Sequence, residues 1–210
     1  MKCLLLWAVA IGLPVIASAQ TPAKPDLGKA QQIVSQVCAA CHGVDGTSPT
    51  SANPSIAGMP ADYITAQLAH FKTGIRPSPI MQGFAAPLSE ADMVSLGAFF
   101  ASHKPRPQGA KDAALARAGQ RLWRSGDPAN GIPACSACHG PTGAGIAKNF
   151  PRIGGQWADY TVAQLKAFRA GERGNDAAGK DQNGTIMAGV ARGMTDAQMK
   201  AVAEYAQGLR

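Results

Sequence analysis

Aromatic side chains are scarce in this sequence, with 3 Trp, 3 Tyr and 6 Phe among 210 residues. Charge is also scarce, at 16% Asp, Glu, Lys and Arg, which excludes a charge-rich disordered chain. There is no Gly-x-y period and no sustained heptad, so a collagen and a coiled coil are excluded as well. No apolar run reaches the roughly 18–20 residues that span a bilayer unaided. Gly (24) and Pro (15) are plentiful, so a conventional core would be thin. The length allows one large domain or two small ones. Two domains of under about 100 residues each would want a staple, a metal or a bound cofactor.

The N-terminus reads as an address. Met1-Lys2 is a short positive start, and Cys3 to Ile16 is almost wholly apolar, interrupted by Gly12 and Pro14. Ala17-Ser18-Ala19 supplies the small residues of a cleavage site. This is the three-part pattern of a secretory signal peptide over residues 1–19, cut after Ala19; the competing reading is an uncleaved anchor helix. Cys3 precedes the apolar run, which makes it a poor site for a lipid. The mature chain is expected to start near Gln20 outside the cytoplasm, in the periplasm.

Four cysteines then remain: Cys38, Cys41, Cys135 and Cys138. In an exported chain they invite a disulfide reading. Both pairs, however, are C-x-x-C followed at once by histidine, His42 and His139. They also sit in an internal repeat. Adding 97 carries Cys38, Cys41, His42 and Gly43 onto Cys135, Cys138, His139 and Gly140. The same step carries Pro54 to Pro151, Gly58 to Gly155, Tyr63 to Tyr160, Gln67 to Gln164, Phe71 to Phe168 and Arg76 to Arg173. Further on the step becomes 106, pairing Met81 with Met187, Met93 with Met199 and Phe99 with Tyr205. Nine extra residues therefore lie within 174–186, a Gly-, Asn- and Asp-rich stretch that reads as a loop. A 97-residue repeat is too long for a solenoid unit. It implies two similar domains, 20–104 and 105–210, with 105–109 (Pro-Arg-Pro-Gln-Gly) as a proline-stiffened linker.

Within each half the periodicity is helical. Leu27, Ala30, Ile33, Val34 and Val37 predict an amphipathic helix capped by Asp26 and ending at Cys38. A second helix is expected over Asp62–Phe71, closed by Gly74. A third begins at Ser89, with Met93, Leu96 and Phe100 on one face. In the second half Thr195 and Gln198 form a capping box. Gly28 and Gly119 are candidates for close helix crossings that admit Phe99 or Phe100, and Tyr205. The fold class is all-α, two tandem small helical domains.

C-x-x-C-H is the signature of c-type haem attachment, because two thiols three positions apart can each bond a vinyl group while the adjacent imidazole faces the iron. Two copies in register with a duplication strengthen it. Zinc would need a fourth soft ligand that neither half repeats, and a thioredoxin-like pair would need a strand–helix context that is missing. Two covalently bound haem c groups would also replace the missing core, so the apo chain is expected to lack a stable fold.

The opposite face of each iron decides between electron transfer and chemistry. His70 maps to Ala167 and His103 to Leu209, so two histidines cannot serve both halves. Met59 maps to Gln156. Met93 and Met199 fall inside a capped amphipathic helix, where methionine is usually core filler. Met81 and Met187, on an irregular stretch before it, are the expected axial ligands, with a core-only role as the competing reading. Tyr63/Tyr160, Gln67/Gln164 and Arg76/Arg173 either hydrogen-bond haem propionates or hold loops and helices together. Pro54 and Pro151 either shape the chain beside each histidine or make a generic turn.

From about residue 25 to 210 the chain resembles the dihaem cytochromes c of the c4 type, two class I cytochrome c domains in tandem. The resemblance rests on Cys38-Ala39-Ala40-Cys41-His42-Gly43, Cys135-Ser136-Ala137-Cys138-His139-Gly140, the two Asp-Tyr-x-x-x-Gln-Leu helices, and Met81 and Met187. It implies a periplasmic one-electron carrier with His–Met ligation in both domains and propionate edges facing across the domain boundary. It further implies delivery to a terminal oxidase and loose association with membranes, with a quinol-oxidising complex as an example of a donor.

Residues 20–104 carry 5 basic and 5 acidic groups, whereas residues 105–210 carry 14 and 8, a net +6. A basic second domain would steer an acidic redox partner; the alternative is a surface that merely keeps the protein in solution. Nucleic acid is not expected as a partner. Two other function classes remain at this stage: a catalytic dihaem enzyme, which would need an exchangeable iron position, and a haem-bearing relay subunit of a larger membrane redox complex.

Overall fold

Asp26 starts the first helix by accepting the Lys29 amide on its carboxylate at 2.9 Å. The computed structural model describes residues 24–146, 150–176 and 178–210, so the expected leader and its cleavage site lie outside the described residues. Helix α1 (Leu27–Ile33) continues without a break through a π-helical turn, Val34–Cys38, into α2 (Ala39–His42). The helix therefore does not stop at Cys38 as expected, but carries both thiols and the histidine on its last turns. Gly43 (φ 77°) ends it, where a Cβ would stand 2.3 Å from the Thr47 carbonyl oxygen.

The first domain continues with α3 (Ala61–Thr73), α4 (Pro79–Ala85) and α5 (Glu90–Ala101). Its core gathers Ala30, Val34, Ile64, Leu96 and Phe100, where α5 packs on α1 and α3. The second domain repeats the plan with α6 (Ala113–Ser125), α7 (Cys135–His139), α8 (Ala158–Ala170), α9 (Gln182–Arg192) and α10 (Asp196–Gly208). Its core is separate, built on Leu122, Trp123, Phe168, Met199 and Val202. Both capping boxes are present, Ser89 with Asp92 and Thr195 with Gln198. Among the described residues there is no strand, only the isolated bridges Asp127–Ile132 and Ile146–Phe150.

Two expectations need correction. Met81 and Met187 are not on irregular chain: Ser78 caps α4 with Pro79 in its first turn, and Asp181 caps α9 through the Gly184 amide. Helix α9 thus absorbs the last part of the 174–186 stretch that composition assigned to a loop. The two glycines also differ. A Cβ on Gly119 would lie 1.9 Å from the Ala201 carbonyl oxygen, so α6 and α10 touch backbone to backbone there. Gly28 is exposed and meets nothing closer than the Asp26 carboxylate at 3.5 Å; the buried small residue of α1 is Ala30.

The Pro-rich connection is packed rather than free. Pro105 lies under Gly58 and Pro107 under its repeat mate Gly155. Arg106 pairs with Asp45 at 3.1 Å, and Gln207 donates to the Gly109 carbonyl at 2.7 Å.

Candidate functional site

In an α-helix, positions i, i+3 and i+4 share a face. Helix α7 places Cys135, Cys138 and His139 in this way, and the π turn running into α2 carries Cys38, Cys41 and His42 at the same spacing. All four thiols are free. Among the described residues no three His, Cys, Asp or Glu side chains gather as a metal site.

Each histidine is held identically. His42 Nδ1 lies 2.9 Å from the Pro54 carbonyl oxygen, and His139 Nδ1 lies 2.9 Å from that of Pro151. A carbonyl can only accept, so Nδ1 carries the proton and Nε2 keeps its lone pair for a metal. Burial lowers the pKa of both imidazoles, and the carbonyl bonds offset part of that. Both rings therefore favour the neutral form that a metal requires. Burial likewise raises the Cys38 thiol and pushes Cys135 up to about 11, keeping them protonated. Pro54 and Pro151 thus have a defined task as acceptors, beyond turning the chain.

Met187 and Cys135 both pack against the core of the second domain. In the first domain Cys38 packs on the core, while Met81 stands half-buried on α4, beside α3 and outside that core cluster. Met93 and Met199 are 3% and 0% exposed, as core filler should be. His103 is spent at the end of α5, where its Nδ1 meets the Phe99 carbonyl at 2.8 Å. His70 faces Asp181 of the other domain at 3.8 Å.

The repeated Tyr, Gln and Arg residues converge on the domain boundary. Arg76 donates to Gln67 at 2.7 Å and across the boundary to Tyr160 and Gln164, both at 2.8 Å. Arg173 mirrors it, donating to Gln164 at 2.6 Å and across to Tyr63 and Gln67 at 3.0 and 3.2 Å. Each guanidinium also lies over a phenylalanine of its own domain, Phe71 or Phe168. Burial pushes the Tyr63 hydroxyl up, but Arg173 and Arg76 outweigh it and draw its pKa down. These residues do hold helices together. Among the described residues neither buried guanidinium bonds a carboxylate and Arg173 Nε has no acceptor, which also suits the acidic edge of a haem. The donor set as a whole fits a covalently held porphyrin: paired thiols, a neutral imidazole tied at Nδ1, and buried cations at the domain boundary.

One residue escaped the sequence reading. Gln156, 4% exposed, reaches from the second domain onto the backbone of Ser55, beside the acceptor of His42. Its only sequence signal is a break in the repeat, since its counterpart is Met59.

Residues 116–210 match the family model described as "Cytochrome c", and residues 25–100 match "Cytochrome C oxidase, cbb3-type, subunit III". The chain is 38% identical over 218 residues to cytochrome c4 of Stutzerimonas stutzeri, covering 99% of each. It is 42% identical over 171 residues to the "Thiosulfate dehydrogenase electron acceptor" of Thiomonas intermedia, covering 80% of this chain and 76% of that protein. Among solved structures, reduced recombinant cytochrome c4 from Pseudomonas stutzeri superposes with a TM-score of 0.80 at 38% identity, over 89% of this chain and all of that one.

Proposed function

Because the chain belongs to the cytochrome c4 family, electron carriers with two covalently bound haem c groups, we propose that His42 with Met81 and His139 with Met187 ligate the two irons. Cys38 and Cys41 hold the first group and Cys135 and Cys138 the second. When bound, each haem would supply one-electron redox chemistry, and the imidazole and thioether that this chain provides would favour its reduced form. The protein supplies the rest. Pro54 and Pro151 fix the imidazole tautomers, and helices α4 and α9 bring the methionines. With a histidine and a methionine of this chain both held by each iron, a substrate would find no open position there, and the protein would pass electrons without turning a substrate over. The Arg76–Arg173 cluster joins the domains and receives the propionates. The carrying observation is the repeated thiol–thiol–imidazole turn, with its carbonyl-bound Nδ1 at 2.9 Å in both domains.

The two units are taken as residues 20–104 and 105–210, joined by 105–109, behind a leader cleaved after Ala19 into the periplasm. Among the described residues no helix is long and apolar enough to cross a membrane. The partners are redox proteins in a respiratory chain, a quinol-oxidising donor and a terminal oxidase or reductase. A second donor is favoured by the relatives called thiosulfate dehydrogenase electron acceptors, 42% and 41% identical. That reading makes the donor a thiosulfate-oxidising enzyme. The net +6 of residues 105–210 would draw either partner by an acidic face, with an on-rate that falls as salt rises.

The test is an optical spectrum and intact mass of protein matured with haem, followed by mixing with reduced donors. Two haems per chain and a methionine–iron band that disappears for one haem in each methionine variant support the ligand set. Colourless protein with four titratable thiols would overturn it. Faster reduction by a thiosulfate-oxidising enzyme than by a quinol-oxidising complex would select the second donor.

A further inference from the structure

Gln156 makes two hydrogen bonds to one residue of the other domain. Its Nε2 donates to the Ser55 carbonyl at 2.7 Å, and its Oε1 accepts the Ser55 amide at 2.9 Å. That amide N–H belongs to the same peptide unit as the Pro54 carbonyl, and the Pro54 carbonyl is the acceptor for His42 Nδ1–H at 2.9 Å. The bonds form one line running from Gln156 Oε1 through the Pro54–Ser55 peptide to His42. Drawing on the N–H of a peptide makes its carbonyl a better acceptor, and such chains strengthen by roughly 10–30% per bond. A better acceptor at Nδ1 gives the imidazole more anionic character, which favours ferric iron.

The second domain has no such line. The counterpart of Gln156 is Met59, a thioether 7% exposed and packed in the first core. Among the described residues no side chain of the first domain bonds to the Pro151–Arg152 peptide behind His139. Two sites with the same ligand residues therefore differ in what lies behind the histidine.

We propose that Gln156 is a positioning residue for the first haem, tightening the His42 hydrogen bond through the Pro54–Ser55 peptide and so holding that haem's reduction potential below the value its ligands alone would set. The inference rests on His42 being an iron ligand. It makes the domain boundary a one-way control, in which the second domain tunes the iron of the first.

The test uses the mature dihaem protein carrying Gln156→Met, a neutral side chain of similar volume that the repeat itself places at the counterpart position. The first haem's midpoint potential should rise while the second stays unmoved, with the two assigned from haem resonances resolved by domain. The iron–histidine stretch of the reduced first haem should fall in frequency, and the Ser55 amide should exchange roughly tenfold faster on losing one bond. Equal movement of both potentials, or an unmoved first potential in a variant that melts like wild type, overturns the proposal. A first haem that keeps its histidine signature in His42→Ala would instead overturn the ligand assignment beneath it.

Discussion

The guanidinium of Arg76 donates to the hydroxyl of Tyr160 across the domain boundary at 2.8 Å, and Arg173 returns the bond to Tyr63 at 3.0 Å. Tyr63 and Tyr160 are related by the 97-residue repeat, and so are the two arginines. The boundary therefore behaves like a two-fold interface between copies of one domain, in which i meets j and j meets i. Gln67 and Gln164 sit between the guanidiniums, each accepting from both.

Arg76→Met should cost about 2–3 kcal/mol, because Tyr160 and Gln164 lose a charged partner inside a buried network. Arg76→Lys should recover little, since an ammonium cannot reproduce the planar fork whose one nitrogen bonds Gln67 while the other bonds Tyr160 and Gln164. Calorimetry is the measurement. A single cooperative transition in the wild type should separate into two domain transitions in Arg76→Met, and an unchanged single transition would show that the network does not couple the domains.

The repeat made much of this legible in sequence. Thiols, histidines and prolines recur at one spacing because each domain must present the same hydrogen-bonded imidazole, and a spacing is visible in one dimension. The capping box at Thr195 and the helix start at Ser89 were readable because a cap is local. The helical setting of Met187 was missed because a Gly-, Asn- and Asp-rich stretch reads as a loop, although Asp181 caps α9; that of Met81 lies in a seven-residue helix that Ser78 caps and Pro79 opens, proline being tolerated in a first turn. Gln156 was invisible because its partner lies 101 residues away, and only its departure from Met59 hinted at a separate task. The exchange of partners between Arg76 and Arg173 was likewise beyond reach, since a repeat says which residues match and not which ones touch.

Gly119 and Gly28 make a paired test of helix crossing. Gly119→Ala would drive a methyl group into the Ala201 carbonyl, 1.9 Å away, against backbone that cannot swing aside. The expected loss is about 2–3 kcal/mol in the second domain. Gly28→Ala makes only an ordinary contact with the Asp26 carboxylate at 3.5 Å and should gain a few tenths of a kcal/mol from helix propensity. Denaturant midpoints monitored by domain would show opposite signs; a neutral Gly119→Ala would refute the backbone contact.

Met81→Ala and Met187→Ala should each act on one haem alone. Loss of the thioether lowers that haem's potential and opens the iron to added imidazole or carbon monoxide. Spectra and potentiometry of the two variants and the double variant measure this. Retention of both methionine–iron bands in either single variant would remove that residue from the ligand set.

Acid should weaken the first domain through Asp92. Its carboxylate pairs with Lys29 at 2.5 Å and accepts from the Ser89 hydroxyl and amide at 2.6 and 3.0 Å, and these contacts, Lys29 foremost, hold its pKa down at about 2. A carboxylate whose pKa falls on folding stabilises the folded state above its unfolded value, near 3.9, and loses that contribution as pH drops through the folded value. The window therefore runs from about pH 4 to 2. Lys29 is half exposed, so screening limits the contribution to about 1–2 kcal/mol. Asp92→Asn should be less stable than wild type by that amount at pH 7 and should converge with it toward pH 2. The corresponding box in the second domain uses uncharged Gln198, whose Nε2 also donates to Asp127 at 2.8 Å and helps to lower that carboxyl's pKa, so Gln198→Ala should lower stability at pH 7 through the lost box and that bond, with only the Asp127 part fading in acid. Melting curves of the two variants at both pH values decide the matter: a difference between Asp92→Asn and wild type that stays constant from pH 5 to pH 2 would show that the Lys29 pair does not link folding to protonation.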